Sequence, residues 1–231
     1  MNKTYGMYRA EDKFSCTEKQ LLLLQSRVKT VMNPDTYSRN SSYRVTSLYF
    51  DDYADSRLSA SEDGVSYKSK YRIRMYNGVS DAIKLEVKYK AYNRVYKKSE
   101  TISREMAETL IAGSCVSEDR HSMESPVTLF NLAIKQDLLR PKIIVEYDRN
   151  AYVFSPGNVR ITFDRNIRAS NDISGFLNDT YACTMLHEMN RILEIKYDEF
   201  LPGFIAQLLE SGNMNQTSYS KYKLCREQMG V

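Results

Sequence analysis

Strict alternation of charged and apolar side chains, repeated in four separate stretches, constrains this chain more than any other feature. In residues 71–75 the even positions carry Arg72 and Arg74, and the odd ones Tyr71, Ile73 and Met75. Residues 84–89 set Lys84, Glu86 and Lys88 against Leu85, Val87 and Tyr89. Residues 159–164 set Arg160, Thr162 and Asp164 against Val159, Ile161 and Phe163, and residues 193–197 set Glu194 and Lys196 against Leu193, Ile195 and Tyr197. Period two is the signature of a strand, because successive side chains leave opposite faces. Each stretch therefore has one apolar and one charged face.

The rest of the chain fits the same reading. Strands are expected at residues 8–14, 44–51, 68–76, 84–90, 95–102, 142–152, 158–166 and 192–197, with a turn at Asn77-Gly78 and a hairpin through residues 91–94. Thr17 and Gln20 form a capping box that opens an amphipathic helix to about residue 31. Ser103 caps a short helix to residue 112, Ser125-Pro126 opens one over 127–139, and Pro202 starts another to residue 209. Eight strands with a few helices make an α+β domain, and no repeat, linker or low-complexity tract divides residues 1–231. One domain is expected.

Several classes of protein drop out. The longest aliphatic run, Leu21 to Leu24, is far below a membrane span, and the N-terminus lacks the apolar stretch of a signal peptide, so a cytoplasmic location is expected. Cys16, Cys115, Cys183 and Cys225 lie far apart and read as inert thiols. His121 and His187 are too few for a histidine metal triad and are expected on the surface or on helices. No phosphate-loop or dinucleotide glycine motif is present. Thirty-three Lys and Arg against 29 Asp and Glu give a net charge of only +4, which by itself says nothing about partners.

The decisive question is which strand face looks inward. The amphipathic helices need an apolar sheet surface to cover. If they cover the outside of a closed sheet, the charged positions line a central tunnel, with Lys and Arg in excess. Such a ring of cations is costly without a polyanion to neutralise it. Phosphate fits: arginine grips it as a fork and lysine as a point charge. A tunnel favours an extended phosphate chain over a nucleic-acid duplex, so no nucleic acid is expected. Glu194 foremost suits Mg2+ or Mn2+ bridging phosphate oxygens.

Nine motifs in chain order then carry a resemblance. They are Arg9-Ala-Glu11-Asp-Lys13, Arg44-Val-Thr-Ser47-Leu-Tyr-Phe-Asp51, Lys70-Tyr-Arg72-Ile-Arg74, Leu85-Glu86-Val-Lys88 and Val95-Tyr-Lys97. Glu146-Tyr-Asp-Arg149, Val159-Arg160-Ile-Thr-Phe-Asp164, Leu193-Glu194-Ile-Lys196 and Tyr219-Ser220-Lys221-Tyr222 complete the set. Together they resemble the polyphosphate polymerase domain of the vacuolar transporter chaperone (VTC) family, within the triphosphate tunnel metalloenzyme (CYTH-like) superfamily. The resemblance implies an antiparallel eight-stranded β-barrel tunnel with helices outside. It implies ATP-dependent growth of inorganic polyphosphate by transfer of the γ-phosphate. The implied ligands of ATP and polyphosphate are Lys13, Arg72, Arg74, Lys88, Lys97, Arg149, Arg160, Ser220 and Lys221, and Lys196 joins the catalytic set. Glu194 is the implied ligand of Mn2+ or Mg2+, with Glu11 and Glu86 as assistants or, more simply, as partners of neighbouring cations.

Three departures shape what is expected. Hydrolases of the superfamily carry E-x-E-x-K on the first strand, and Arg9 replaces their first Glu, which favours polymerase over triphosphatase. Nothing ahead of the barrel corresponds to a sensor domain, and no membrane span is present, so threading product across a membrane calls for a separate membrane protein. A triphosphatase or polyphosphate hydrolase and a non-catalytic polyphosphate- or nucleotide-binding module stay open as alternatives, as does the oligomeric state. Lys97 is expected inward and Lys98 outward. Arg149 shares a face with Ile143, Val145 and Tyr147, so it needs a bulge to face inward and is otherwise a surface charge. Asp164 is read as a partner for Arg160, and the tyrosines as core and barrel-exterior packing, with stacking on the ATP base a minor role for one of them.

Overall fold

The computed structural model describes residues 9–38, 42–63, 65–91, 94–117, 121–187, 191–210, 214–217 and 220–230. Eight strands close on themselves: β1 (Arg9–Ser15), β3 (Tyr43–Asp51), β4 (Tyr67–Tyr76), β5 (Val79–Ala91), β6 (Arg94–Ile102), β7 (Arg140–Phe154), β8 (Val159–Ser170) and β10 (Ile192–Tyr197). Their order is β7-β3-β4-β5-β6-β1-β10-β8, and β8 pairs back to β7, every pairing antiparallel. Closure removes the sheet edges and creates a lumen. Three two-residue strands, β2 (Asn33–Pro34), β9 (Thr184–Met185) and β11 (Asn215–Gln216), attach to β7, β8 and β1. Asn77 and Gly78, both at positive φ (54° and 70°), make the tight turn between β4 and β5.

Helices α1 (Glu18–Val28), α2 (Ser56–Glu62), α3 (Arg104–Ile111), α4 (Pro126–Asp137), α5 (Gly203–Leu208) and α6 (Lys221–Met229) decorate the barrel. The expected caps are present: the Gln20 amide donates to Thr17 Oγ1 and Thr17 N–H to Gln20 Oε1, while Ser103 and Ser125 accept from Met106 and Thr128. α3 and α4 cover the outer face of β3 to β6, burying Leu48, Phe50, Tyr71, Ile73, Leu85 and Val87. Phe130 of α4 packs edge-on to both Phe50 and Tyr71, at 5.3 and 5.1 Å between ring centres. Removing it would cost about 3–5 kcal/mol as a cavity-creating change. α1 and α5 cover the opposite side, over Tyr152, Ile161, Phe163, Leu193 and Ile195. The apolar faces of β4, β5, β8 and β10 thus look outward into helices, and their charged faces look into the lumen.

Two features differ from the sequence reading. β3, β7 and the end of β8 turn apolar side chains inward: Val45 and Tyr49 of β3, Ile143, Val145 and Tyr147 of β7, and Ile167 and Ala169 of β8 pack with Tyr222 and Cys225 of α6. α6, framed by Ser220 at its N-cap and Gly230 (φ 66°) at its end, fills this part of the lumen. Neither α6 nor α2 is expected from the sequence. The bulge expected on β7 for Arg149 lies instead on β8, where Glu146 and Asp148 face Arg168 and Arg165, and Asn166 sits at φ 53°. The extra residue switches the parity of β8, so that Asp164 and Ile167 both face inward.

Candidate functional site

A cavity inside the barrel is lined by eleven Lys and Arg side chains but only two carboxylates, Glu11 and Glu194. Strand parity delivers them. Glu11 and Lys13 come from β1, Arg72 and Arg74 from β4, Lys88 from β5, Arg149 from β7 and Glu194 and Lys196 from β10. Ser220 and Lys221 enter from the N-terminus of α6.

Four buried or nearly buried carboxylates each serve several cations. Glu11 lies 2.7 Å from Lys13, 2.9 Å from Lys88 and 3.6 Å from Lys196. Glu86 accepts from Arg72 (2.6 Å) and Lys97 (2.7 Å) and lies 3.7 Å from Arg74. Asp164, with no exposed surface, is gripped by both nitrogens of the Arg149 fork (2.6 and 2.7 Å) and by Lys221 (2.6 Å). Glu194 lies 3.1 Å from Lys196, 3.7 Å from Arg149 and 3.8 Å from Lys13. Phenol groups complete the arginines: Tyr49 accepts from Arg72 at 2.9 Å and Tyr147 from Arg74 at 3.3 Å, while Ser47 accepts from Arg74 at 3.0 Å.

The electrostatics follow from this shortage of acid. Burial alone would raise the carboxylates; Arg149 and Lys221 nevertheless hold Asp164 far below the usual range, and Lys196 and Lys13 hold Glu194 down to about 2. Burial and the adjoining Lys13 and Lys196 outweigh a Glu11 that is already shared, and push the Lys88 ammonium down to about 7. Lys70 is pushed well below the ordinary lysine value by burial and by Lys13, Lys88 and Lys68. Its nearest partner is the Ser220 hydroxyl at 2.6 Å.

The expected residues largely converge. Lys13, Arg72, Arg74, Lys88, Arg149, Lys196, Ser220 and Lys221 line the one cavity. Lys97 meets Glu86, but it is not among the cavity's lining residues and its side chain is 45% exposed, whereas Lys98 meets Glu124 outside. Arg149 faces inward, 8% exposed, without a bulge before it: β3 and β7 pair continuously from Tyr43:Arg149 to Tyr49:Ile143. The apolar face of β7 is the inner one, which is why parity alone misplaced it. Arg160 is the outlier. Its guanidinium turns to Asp35 and Tyr43, and it is not among the cavity's lining residues. Asp164 accordingly orients Arg149 and Lys221, not Arg160. Tyr219 lies outside the described residues, as do Tyr8, Tyr92 and Asn93. His121 pairs with Glu100 at 2.9 Å, and His187 is exposed.

Sequence reasoning missed Lys68, Lys70, Lys90 and Lys223, and the inward tyrosines Tyr49 and Tyr147. Lys68, Lys70 and Lys90 could have been found, since they continue the even parity of Arg72 and Lys88. Lys223 required knowing of α6.

The donor set fits a divalent cation only in part-protein form. Among the described residues no three His, Cys, Asp or Glu side chains converge as a metal cage. Glu194 is nevertheless the least committed of the four carboxylates, with no cation closer than 3.1 Å. Glu86, engaged by Arg72, Arg74 and Lys97, is an organiser of cations. One carboxylate with phosphate oxygens and water is the usual way Mg2+ is held.

Among solved structures, the PH1819 protein from Pyrococcus horikoshii OT3 shares 14% identity, with 96% of this chain and 99% of that chain covered, at a TM-score of 0.48. A Bacillus halodurans protein provisionally assigned as an adenylate cyclase shares 12% identity over 82% of this chain and 80% of that chain, at a TM-score of 0.50, a likeness of fold alone. A Mimivirus capping enzyme triphosphatase shares 12% identity, covering 87% of each chain, at a TM-score of 0.41. No curated protein matches the sequence. The family model of the VTC domain matches residues 8–229, and the chain therefore belongs to the VTC domain family.

Proposed function

We propose that this chain, acting as a single domain, is an ATP-dependent polyphosphate polymerase that moves the γ-phosphoryl group of ATP onto the end of a polyphosphate chain inside the barrel. The observation that carries the reading is the charge of the lumen: eleven Lys and Arg line one cavity with only two carboxylates in its wall, and two more, Glu86 and Asp164, behind its arginines. A surplus of that size is destabilising in the free protein and is neutralised by a bound phosphate chain.

Arg72, Arg74 and Arg149, each fixed by a carboxylate or phenol, present preorganised forks to phosphate oxygens. Lys13, Lys88, Lys196 and Lys221 add point charges around them. As the bond from the γ-phosphorus to ADP breaks, ADP leaves with the electron pair, and a terminal chain oxygen forms the new P–O bond. These cations offset the charge that spreads over the transferred group. The nucleophile is already anionic, so no general base is needed. Glu194 would hold Mn2+ or Mg2+, which when bound supplies charge neutralisation on the phosphate oxygens.

Arg9 supports polymerase over triphosphatase. At the position where the superfamily's hydrolases place a glutamate, its guanidinium pairs with Asp198 at 2.9 Å. That leaves β1 a single lumen carboxylate, Glu11. Delivery of product across a membrane would require a partner, since among the described residues no helix is long and apolar enough to cross one.

The test incubates the purified protein with ATP and Mn2+ or Mg2+ and resolves the products on a gel, beside Arg72→Ala and Glu194→Ala. Long polyphosphate from the wild type and its loss in both variants are expected. Orthophosphate as the sole product would overturn the polymerase reading in favour of a hydrolase, and binding without turnover would leave a polyphosphate-binding module.

A further inference from the structure

The forks and point charges assigned above to phosphate leave part of the lumen's charge unused. On the β4–β5 ladder Lys68 sits directly opposite Lys90, and Lys70 directly opposite Lys88, all four on the lumen face. Like charges directly opposed in an antiparallel pair destabilise the sheet, and here two such pairs follow one another. Lys88 has Glu11 as counter-ion. Lys70 meets the neutral Ser220 hydroxyl and lies 5.7 Å from the centre of the Tyr222 ring, with no carboxylate partner among the described residues. For Lys68 and Lys90 the described residues provide no carboxylate partner, and burial with the nearby Lys90, Lys13 and Lys223 pushes the Lys68 ammonium below its ordinary value. Lys223, from the first turn of α6, lines the same end of the cavity and lies 3.4 Å from Glu227.

Position and chemistry both matter. Lys68:Lys90 is the last but one pair of the ladder, with only Tyr67:Ala91 beyond it, so it stands at the rim of the barrel. Arg72 and Arg74 lie deeper on the same ladder, and among the described residues the cations it adds to the cavity beyond them are lysines. An arginine fork fixes the register of a phosphate, whereas lysine ammoniums grip as point charges without fixing it. A chain that must advance as it grows suits the second kind of contact.

We propose that Lys68 and Lys90, continuing from Lys70, form a rim subsite for the phosphates of a polyphosphate chain beyond the three held by the arginines, so that the tunnel prefers long chains to triphosphate. This rests on the reading of the lumen as a phosphate tunnel. It assigns the rim to polyphosphate and not to an acidic peptide because the ladder runs without a break into the arginine seat.

The test is titration calorimetry of the full chain with tripolyphosphate, ATP and long-chain polyphosphate at two salt concentrations. Lys68→Ala/Lys90→Ala is compared with wild type, and Lys68→Gln/Lys90→Gln guards against a folding defect in the first variant. Wild type should bind long chains more tightly than tripolyphosphate. Both double variants should lose at least tenfold in long-chain affinity and less than threefold for tripolyphosphate and ATP. Their long-chain salt slope should be shallower by about 1.4, the value expected when two fewer phosphates of a single strand are neutralised. Equal losses for all three ligands, or no loss for the long chain, would overturn the rim subsite. Polyglutamate competing at the rim as well as polyphosphate would overturn its phosphate identity. A wild type that binds neither tripolyphosphate nor ATP would overturn the tunnel reading itself, an outcome the variants cannot mimic.

Discussion

Replacing Lys70 by methionine should make the free protein more stable, although most substitutions in a barrel interior destabilise it. The side chain is largely buried, faces Lys88 across the ladder and has the Ser220 hydroxyl as its hydrogen-bond partner. Ser220 would not be orphaned, because it still caps α6 by accepting from the Lys223 amide. Neutralising an ordinary lysine at pH 7 costs at most about 4.6 kcal/mol, from a reference pKa of ~10.4. Lys70 keeps some contact with water, which screens part of this, so removal of the ammonium should gain about 1–3 kcal/mol. For a chain of this size that is roughly 3–9 °C in Tm. The assay is urea and thermal unfolding in a phosphate-free buffer, with and without tripolyphosphate. Methionine should raise the apo midpoint and shrink the upward shift given by tripolyphosphate, since that shift follows ligand affinity. A loss of about 1 kcal/mol or more in the apo protein would show that the ammonium is satisfied without a ligand, and would refute the idea of surplus charge in the lumen.

Other consequences concern pH, ion pairing and sidedness. Lys88 is pushed down to about 7, so between pH 7 and the unfolded-state value near 10.4 the unfolded chain binds more protons and stability rises with pH. Thiol ionisation in the unfolded state opposes this above about pH 8.5, so the window is roughly pH 7 to 8.3, where Lys88 should add about 1–2 kcal/mol by urea unfolding; the rise should shrink in Lys88→Met, and the remainder comes from the buried Lys70, which acts in the same direction. Asp164→Asn leaves Arg149 and Lys221 without their buried counter-charge, and should cost about 3–5 kcal/mol by the same assay, part of it restored by tripolyphosphate. Lys97→Ala should weaken triphosphate binding while Lys98→Ala, whose ammonium meets Glu124 outside, changes binding less than twofold by calorimetry.

Much of this site is written into strand periodicity, because a charged-apolar alternation fixes which residues share a face. Arg72, Arg74, Lys88, Glu194 and Lys196 were legible in that way. Periodicity does not say which face is inside, however; that depends on what covers each face. On β4, β5, β8 and β10 the helices α1, α3, α4 and α5 cover the apolar side, as their amphipathic sequences imply. On β7 the cover is α6, which lies inside the barrel, so the apolar face turns inward and carries Arg149 with it. The switch on β8 depends on one extra residue at a bulge, a backbone event with little sequence signature beyond Asn166 at positive φ. Arg160 shows the remaining limit: its parity is that of the lumen, yet a contact with Asp35, distant in sequence, draws its guanidinium away.

The central claim is that the cationic lumen joins phosphates instead of hydrolysing them. It is tested most directly by a 31P NMR time course of the purified protein with ATP and divalent metal, each sample quenched with chelator. The account predicts that ADP and internal polyphosphate phosphorus rise together, with orthophosphate a minor product. ADP accompanied by equimolar orthophosphate, with no internal phosphate signal at any time, would contradict it.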